Sequence, residues 1–394
     1  MGQLIRIDRD WTVRTLADLV RIDSVNPELA PGGAGERAIA AYVLDLLERL
    51  PVRLERYEPE PRRVSVLAIL HGNGGGRSLM LNAHLDTVGV EGMADPFGAA
   101  IRDGRLYGRG AYDMKGSLAA CLAALKALCD SGIRPRGDLM VAAVADEEYG
   151  SLGTSDLLNY VKPDAAIVTE PTAARVCLAH KGYLWVEVVT EGKAAHGSRF
   201  DLGIDANMRM GRFLAELDKL ERDLRARKPH PLVGPPSLHA ALLKGGAGLS
   251  TYASSCTLQI ERRTIPGETE AQAVAEIQAI ADRLQAADPS FRASVKCFFA
   301  RDPFEVSRDA EIVGALARAS QQVTGRAPEF MGDTPWMDAA LSPGRSGGGD
   351  RCVRPGGSRR ARLGGVGGSR IGLRGGRDAG SHRGRLLRLM SLPC

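Results

Sequence analysis

The feature that most limits what this chain can become is a set of short apolar runs that each stop at ionisable residues. SLMLNAHLDTV, DLMVAAVADEE and AAIVTEP are of strand length and hydrophobic almost throughout. They are broken at their carboxyl ends by His84 and Asp86, by Asp146, Glu147 and Glu148, and by Glu170. Short apolar runs without strict polar alternation read as strands buried on both faces. Between and around them lie helical patterns: TVRTLADLVRI, the stretch 36–50, MKGSLAACLAALKALCDSG closed by Gly132, and a helix from Thr154. Strands and helices in alternation imply an α/β fold whose sheet is covered by helices on both faces. GNGGG, between VSVLAIL and SLMLNAHLDTV, reads as a hairpin-type turn.

The pattern changes after about Thr172. YLWVEVVTEG alternates like a half-exposed strand, 204–226 is a long amphipathic helix, TYASSCTLQIERR is strand-like, and 269–286 is helical again. The helix around 309–322 and MGDTPWMDAAL then look like a return to the first unit. A chain of 394 residues exceeds what one core usually organises. The expected division is therefore 1–173 and 301–342 as two parts of one catalytic domain, 174–300 as an inserted α+β domain, and 343–394 as a tail. No strand or helix period is legible in that tail, although a catalytic domain of this kind should end with one of each. It holds 15 of the 47 glycines and 12 Arg against two Asp, with neither Lys nor Glu. Its charge makes the whole chain +5, while 40 basic against 45 acidic residues precede it, so the body is mildly acidic. That removes the whole-chain charge argument for a nucleic-acid partner. No apolar run reaches the roughly 18–20 residues of a membrane span. The start, MGQLIRIDRDW, lacks the apolar segment of a secretory leader. The seven cysteines form no C-x-x-C pair. A cytoplasmic location is expected.

Each stop has an ordinary reading, a structural strand-end histidine at His84, a helix cap at Asp113, a solvated loop at Glu147 and Glu148 and an unremarkable strand end at Glu170, and beside it a chemical one. His84 and Asp86 share one side of an extended strand, where a carboxylate suits the second nitrogen of a ligating imidazole. Asp113, in GRGAYDMKGS before a helix, fits an N-cap or a carboxylate shared by two cations. Glu147 and Glu148, if extended, point to opposite sides and can divide labour between metal and water. Glu170 ends its strand where α/β sheets place their sites. Taken together, one imidazole and several hard oxygen donors suit zinc, cobalt or manganese.

The order H-x-D, G-R-G-x-x-D-M-K-G, D-E-E-x-G-S, E-P-T resembles the acetylornithine deacetylase, succinyl-diaminopimelate desuccinylase, aminoacylase and glutamate carboxypeptidase family, over roughly residues 10–342. The resemblance implies a two-metal peptidase fold with an inserted dimerisation lid, and two divalent ions, zinc first. His84, Asp113 and Glu170 would hold one ion; Asp113, Glu148 and a carboxy-terminal histidine the other. It makes Glu147 the general base that takes a proton from the attacking water, and Asp86 the partner of His84. The peptide after Asp113 would be cis. His196, in EGKAAHGS, would reach the second subunit's site of a homodimer to stabilise the oxyanion, and Arg263, in ERRTIPGE, would hold a substrate carboxylate. The implied activity is hydrolysis of the amide of an N-acyl amino acid. A dipeptidase or carboxypeptidase, or an inactive dimeric binding homologue, remain as alternatives.

The family's last ligand histidine belongs to a G-P-G…H…E-W-V-type segment, and His382, in GSHRGRL, lacks those neighbours. The second ion is thus left short of one ligand. A reading-frame slip near Ser342 accounts for this. Read one base later, the codons of Val353, Arg354, Pro355 and Gly356 permit Phe-Gly-Pro. The Ala361–Arg362 junction permits His, and Gly365–Val366–Gly367 permits Glu-Trp. The competing reading is an Arg/Gly-rich tail that binds nucleic acid by counter-ion release, with salt-sensitive binding lost on removing 343–394.

Overall fold

A computed structural model describes residues 5–341 and 370–372. Its central sheet has the strand order β1 (Arg53–Glu60), β2 (Arg63–Leu70), β6 (Leu139–Val144), β3 (Leu79–His84), β7 (Ala165–Val168). β6 is parallel to β3 and antiparallel to β2, and β3 is parallel to β7, so the sheet is mixed. Alternate residues of the central strands face two separate apolar layers. Val66, Ala68, Ala83 and Val141 pack with helices α1 (Arg9–Arg21), α2 (Arg37–Leu47) and α3 (Lys115–Ser131). Leu67, Met80, Ala142 and Val144 pack on the opposite face with Leu157 of α4 (Leu152–Leu157). The helical cover on both faces is as expected from the apolar runs.

The hairpin expected at GNGGG does not form. β2 and β3 are separated by β6, and the true hairpin is β1–β2. The Gly-rich segment instead crosses the entry to β6, where Asn73 and Gly74 donate to the carbonyls of Pro135 and Arg136. Any side chain at Gly137 would collide with the Arg77 carbonyl, because its Cβ would lie 1.9 Å away. Local turn chemistry was read correctly as punctuation, but strand adjacency is set by long-range pairing.

A short hairpin, β4 (Ala100–Arg102) and β5 (Arg105–Tyr107), precedes the Asp113 segment. The backbone of β15 (Arg370–Gly372) pairs antiparallel with β5, so the tail does contribute one strand that its composition concealed. The remaining tail residues, His382 and the 353–367 segment among them, lie outside the described residues.

Two further sheets complete the described residues. β8 (Val176–His180) pairs with β13 (Phe304–Glu305) and β14 (Phe330–Asp333), beside α7 (Glu311–Thr324). Although β8 lies after residue 174, its partners belong to the 301–342 segment. The four-stranded sheet is ordered β10 (Ser237–Gly245), β11 (Ser255–Thr264), β9 (Gly182–Glu191), β12 (Ala293–Arg301), with α5 (Ala206–Ala226) and α6 (Glu270–Ala287) on one face. Leu184, Val186 and Val188 of β9 meet Phe213, Leu217, Ile277 and Ile280 there. Among the described residues no helix is long and apolar enough to cross a membrane.

Candidate metal centre

Three strand ends of the central sheet deliver their ionisable residues to one place. Those of β3 and β6 are buried, while the edge strand β7, whose apolar run predicts a buried strand, is only half-buried. His84 is 1% exposed, and its Nε2 lies 3.0 Å from Asp113 Oδ1, 3.8 Å from Glu170 Oε1 and 4.0 Å from Glu147 Oε2. Two trios can each offer ligand atoms within 4.8 Å of one another: His84, Asp113 and Glu148, and His84, Glu147 and Glu170. This grouping differs from the implied one, which set Glu170 beside Asp113. All four carboxylates nevertheless surround the same imidazole.

Local backbone explains the convergence. α3 starts after Met114, which makes no side-chain cap, so Asp113 is free of the N-cap role and turns to His84. The peptide between Asp113 and Met114 is cis, as the resemblance implied. β6 ends at Val144, and Asp146 adopts φ 69°, a left-handed conformation uncommon for a non-glycine residue. Glu147 and Glu148 therefore stand on a turn rather than in extended chain. The expectation that they point to opposite sides is corrected by that turn: both belong to trios around His84.

Asp86 does stand against the His84 ring, chiefly through its backbone. His84 Nδ1 lies 2.9 Å from the Asp86 backbone carbonyl and 3.6 Å from its carboxylate. The carboxylate is occupied elsewhere, accepting the N–H groups of Glu147 and Glu148 at 3.1 and 3.2 Å and the Asn26 amide at 2.8 Å. The backbone thus sets the imidazole while the side chain pins the turn.

The electrostatics are those of an anionic cage short of positive charge. Burial, and then neighbouring acids against the pull of His84, push Glu148 and Glu170 up to about 8. Glu147 is raised well above the ordinary range by burial, with Glu170 adding to it and His84 opposing. His84 is raised well above its usual value even though burial opposes this, because Asp113, Glu170 and Glu147 favour the imidazolium. Burial also raises Asp113, but its hydrogen bond to His84 leaves it net lowered. Glu170 Oε1 is buried with no hydrogen-bond partner. One imidazole among hard oxygen donors, one of them an orphaned buried oxygen, fits a divalent cation.

Several participants carried no legible signal. Asp338, 1% exposed, accepts from Thr154 and sits close enough to raise Glu147 and Glu170. Lys115 is fully buried, donates to the Ile22 carbonyl at 2.8 Å, and is lowered to about 7 by burial against Asp23 and Asp86. Asn26, Glu36 and Arg63 lie behind the Asp146 turn. Only Lys115 stood in a motif that could have flagged it.

The inserted sheet touches this turn. Tyr149, next to Glu148, packs at a tilt against Trp185 and Phe299, with centroid distances of 5.9 and 6.5 Å, and Arg301 donates to the Gly150 carbonyl. Arg263 lies 5.1 Å over the ring of Tyr183, whose hydroxyl is raised by burial, with Glu147 among the charges that influence it. His196 is on an exposed loop of the insert, its Nδ1 2.9 Å from Ser198 Oγ, and belongs to neither trio.

Comparison with known proteins agrees with this geometry. The family model described as Peptidase family M20/M25/M40 matches residues 80–352. An acetylornithine deacetylase of Myxococcus xanthus is 34% identical over 274 residues, covering 68% of this chain and 70% of that protein. An N-formyl-4-amino-5-aminomethyl-2-methylpyrimidine deformylase of Bacillus subtilis is 29% identical over 278 residues, 66% of this chain and 65% of that one. Among solved structures, a tripeptidase of Staphylococcus aureus superposes with a TM-score of 0.68 at 17% identity, covering 85% of this chain and 87% of that chain.

Proposed function

Because this chain belongs to peptidase family M20/M25/M40, and is accordingly a metal-dependent hydrolase, we propose that it cleaves the amide bond of N-acyl amino acids. The observation that carries this reading is the gathering of Asp113, Glu147, Glu148 and Glu170 around His84 Nε2. His84, Asp113, Glu148 and Glu170 would hold the ions, zinc first and cobalt or manganese next. Bound divalent ions supply Lewis-acid polarisation of the amide carbonyl and make water acidic enough to react near neutrality.

The chain's own groups do the rest. Glu147, crowded by Glu170, Asp338 and Glu148, sits where gaining a proton is favoured, which suits a base that takes one from water and returns it to the departing amine nitrogen. Asp86 fixes the Glu147 backbone through its N–H, and so the direction from which that carboxylate works. Arg263, at the edge of the aromatic wall formed by Tyr183 and Trp185, would hold the substrate carboxylate. His196 would act across a homodimer formed through the insert, whose β10 leaves Leu242 and Leu243 about half exposed at the sheet edge. The enzyme would work in the cytoplasm on small acyl amino acids or short peptides. The slip near Ser342 belongs to the same reading, because the shifted frame permits a histidine where the ligand is missing.

The test is release of free amine from acetyl, succinyl and aminoacyl substrates with added zinc or cobalt, using this chain and a frame-restored one. Turnover by the frame-restored chain, with close to two ions bound, supports the reading. A frame-restored chain that binds one ion or none and hydrolyses no substrate would instead be a binding homologue. Resequencing across Ser342 decides the frame: an unambiguous read with no alternative frame removes the slip.

A further inference from the structure

We propose that Arg63 is a positioning residue for the turn carrying Glu147 and Glu148, acting through the carboxylate of Asp146 and the amide of Asn26. The inference rests on the metal reading given above but concerns groups outside the ligand set.

Strand pairing creates the contact. β2 and β6 run antiparallel with Val66 opposite Ala143, and continuing that register sets Arg63 opposite Asp146. Arg63 Nη2 donates to Asp146 Oδ1, and Nη1 lies 3.1 Å from Glu36 Oε1, with the side chains of Arg63, Glu36 and Asp146 all below 10% exposure.

From there a continuous set of hydrogen bonds leads to the ligand turn. The Asn26 amide donates to both Asp146 Oδ1, at 3.0 Å, and Asp86 Oδ2, at 2.8 Å. The two oxygens of Asp86 accept the N–H groups of Glu147 and Glu148. Asp146 itself closes the turn: its carbonyl accepts from Gly150 and Ser151, and its Oδ2 accepts from Leu152 N at 3.3 Å. A non-glycine residue at φ 69° persists when its surroundings over-determine it, and here the guanidinium, an amide and a backbone N–H grip the side chain together.

Arginine suits the place because its planar fork reaches two carboxylates at once, while an ammonium offers a single compact charge. If Arg63 merely offset buried acids, its loss would lower stability and leave the metal centre as it is. If it positions the turn, metal affinity must change even where stability does not.

The experiment compares the parent full-length chain with Arg63→Met/Asp146→Asn and with Arg63→Lys. The double variant removes both charges of the Arg63–Asp146 pair; Glu36, which loses its cation too, is pushed up to about 8 by burial and can take up a proton instead, and Asn tolerates the left-handed conformation. Cobalt is titrated into each metal-free protein and followed by visible absorption, alongside melting and amide exchange. The double variant is expected to melt within a few degrees of the parent and to bind cobalt roughly 10–100-fold more weakly, as loss of groups behind metal ligands commonly does. Amides of residues 146–151 should exchange at least ~10-fold faster while those of β6 do not change. Arg63→Lys should fall between, and it decides the matter alone if the double variant does not fold. Parent-like cobalt affinity, spectrum and exchange in the folded variants overturn the inference. Failure of the parent to bind cobalt overturns the metal reading and this inference together, whereas equal binding by parent and variants overturns this one only.

Discussion

Two buried arginines show how differently the two halves of the molecule handle charge. Arg262, in the inserted sheet, is 1% exposed and meets two acids, Glu268 at 2.7 Å and Glu276 at 3.3 Å, with its other Nη directed to the Arg263 carbonyl. Both acids keep some contact with solvent and share a second cation, Arg227, at 3.6 and 2.6 Å, so the charges of the cluster balance. Arg63, beside the central sheet, faces fully buried Glu36 and nearly buried Asp146, and beyond them stand Asp86, Asp338 and the acids around His84. Burial and Asp86 together push Glu36 up to about 8, and both oxygens of its carboxylate lack a hydrogen-bond partner. One region is finished without a ligand; the other is left with more negative charge than its own cations answer. A stable fold tolerates such an excess where binding something positive supplies the balance.

The contrast is most sharply tested at Glu147. Glu147→Ala should reduce amide hydrolysis by roughly 10²–10⁴-fold with little change in melting, since it removes a proton carrier and relieves crowding. Unchanged turnover per folded molecule would end its assignment as base. In the closed cluster the expected loss is of stability instead. Arg262→Met should cost on the order of 1–3 kcal/mol in urea unfolding, by leaving Glu268 and Glu276 with Arg227 as their one remaining cation, and should leave cobalt stoichiometry as it was.

A third measurement reads the charge excess directly. Glu148 and Glu170 hold their protons to about pH 8 when folded against an ordinary value of 4.5. Between those values the folded state binds protons that the unfolded state has released, so stability falls as pH rises through the window. Melting of the metal-free chain should therefore drop by something on the order of 5 °C from pH 5 to pH 8. Saturating zinc should flatten or reverse that trend. A metal-free chain that gains stability over the same range would show that the acids are not crowded as described. The smallest effect belongs to the insert's own helix. Thr269→Ala, which breaks the capping box with Gln272, should cost about 1 kcal/mol and leave activity alone.

What the sequence revealed, and what it hid, divides along the range of the interactions. Strands β3, β6 and β7 were legible because apolar runs announce burial, and their acidic ends were legible because charges so placed are costly without a use. α3 and its closure at Gly132 followed from periodicity and a left-handed cap. The GNGGG segment misled because hairpin chemistry is local, whereas the insertion of β6 between β2 and β3 is not. Asp338 reaches Thr154 across 184 residues and Asp146 reaches Arg63 across 83, distances over which no spacing rule operates. Asp86 was identified as a partner of His84, but only coordinates could show that its carbonyl and its carboxylate serve different neighbours.

The roots of the inserted sheet have a consequence for how the molecule could have arisen. β9 begins at Gly182, β12 ends at Arg301, and Tyr183 is paired with Arg301. A Cβ on Gly182 would lie 2.4 Å from Pro303 N, so the outgoing and returning chains pass each other at touching distance. Ladder neighbours stand about 5 Å apart, which a very short splice can bridge. The four-stranded unit is thus a cassette on a narrow neck. A host sheet could gain, lose or exchange it without altering its own strand order, and a graft from a relative would have to match the crossing at Gly182 and Pro303 and the contacts that Trp185, Phe299 and Arg301 make with residues 149 and 150.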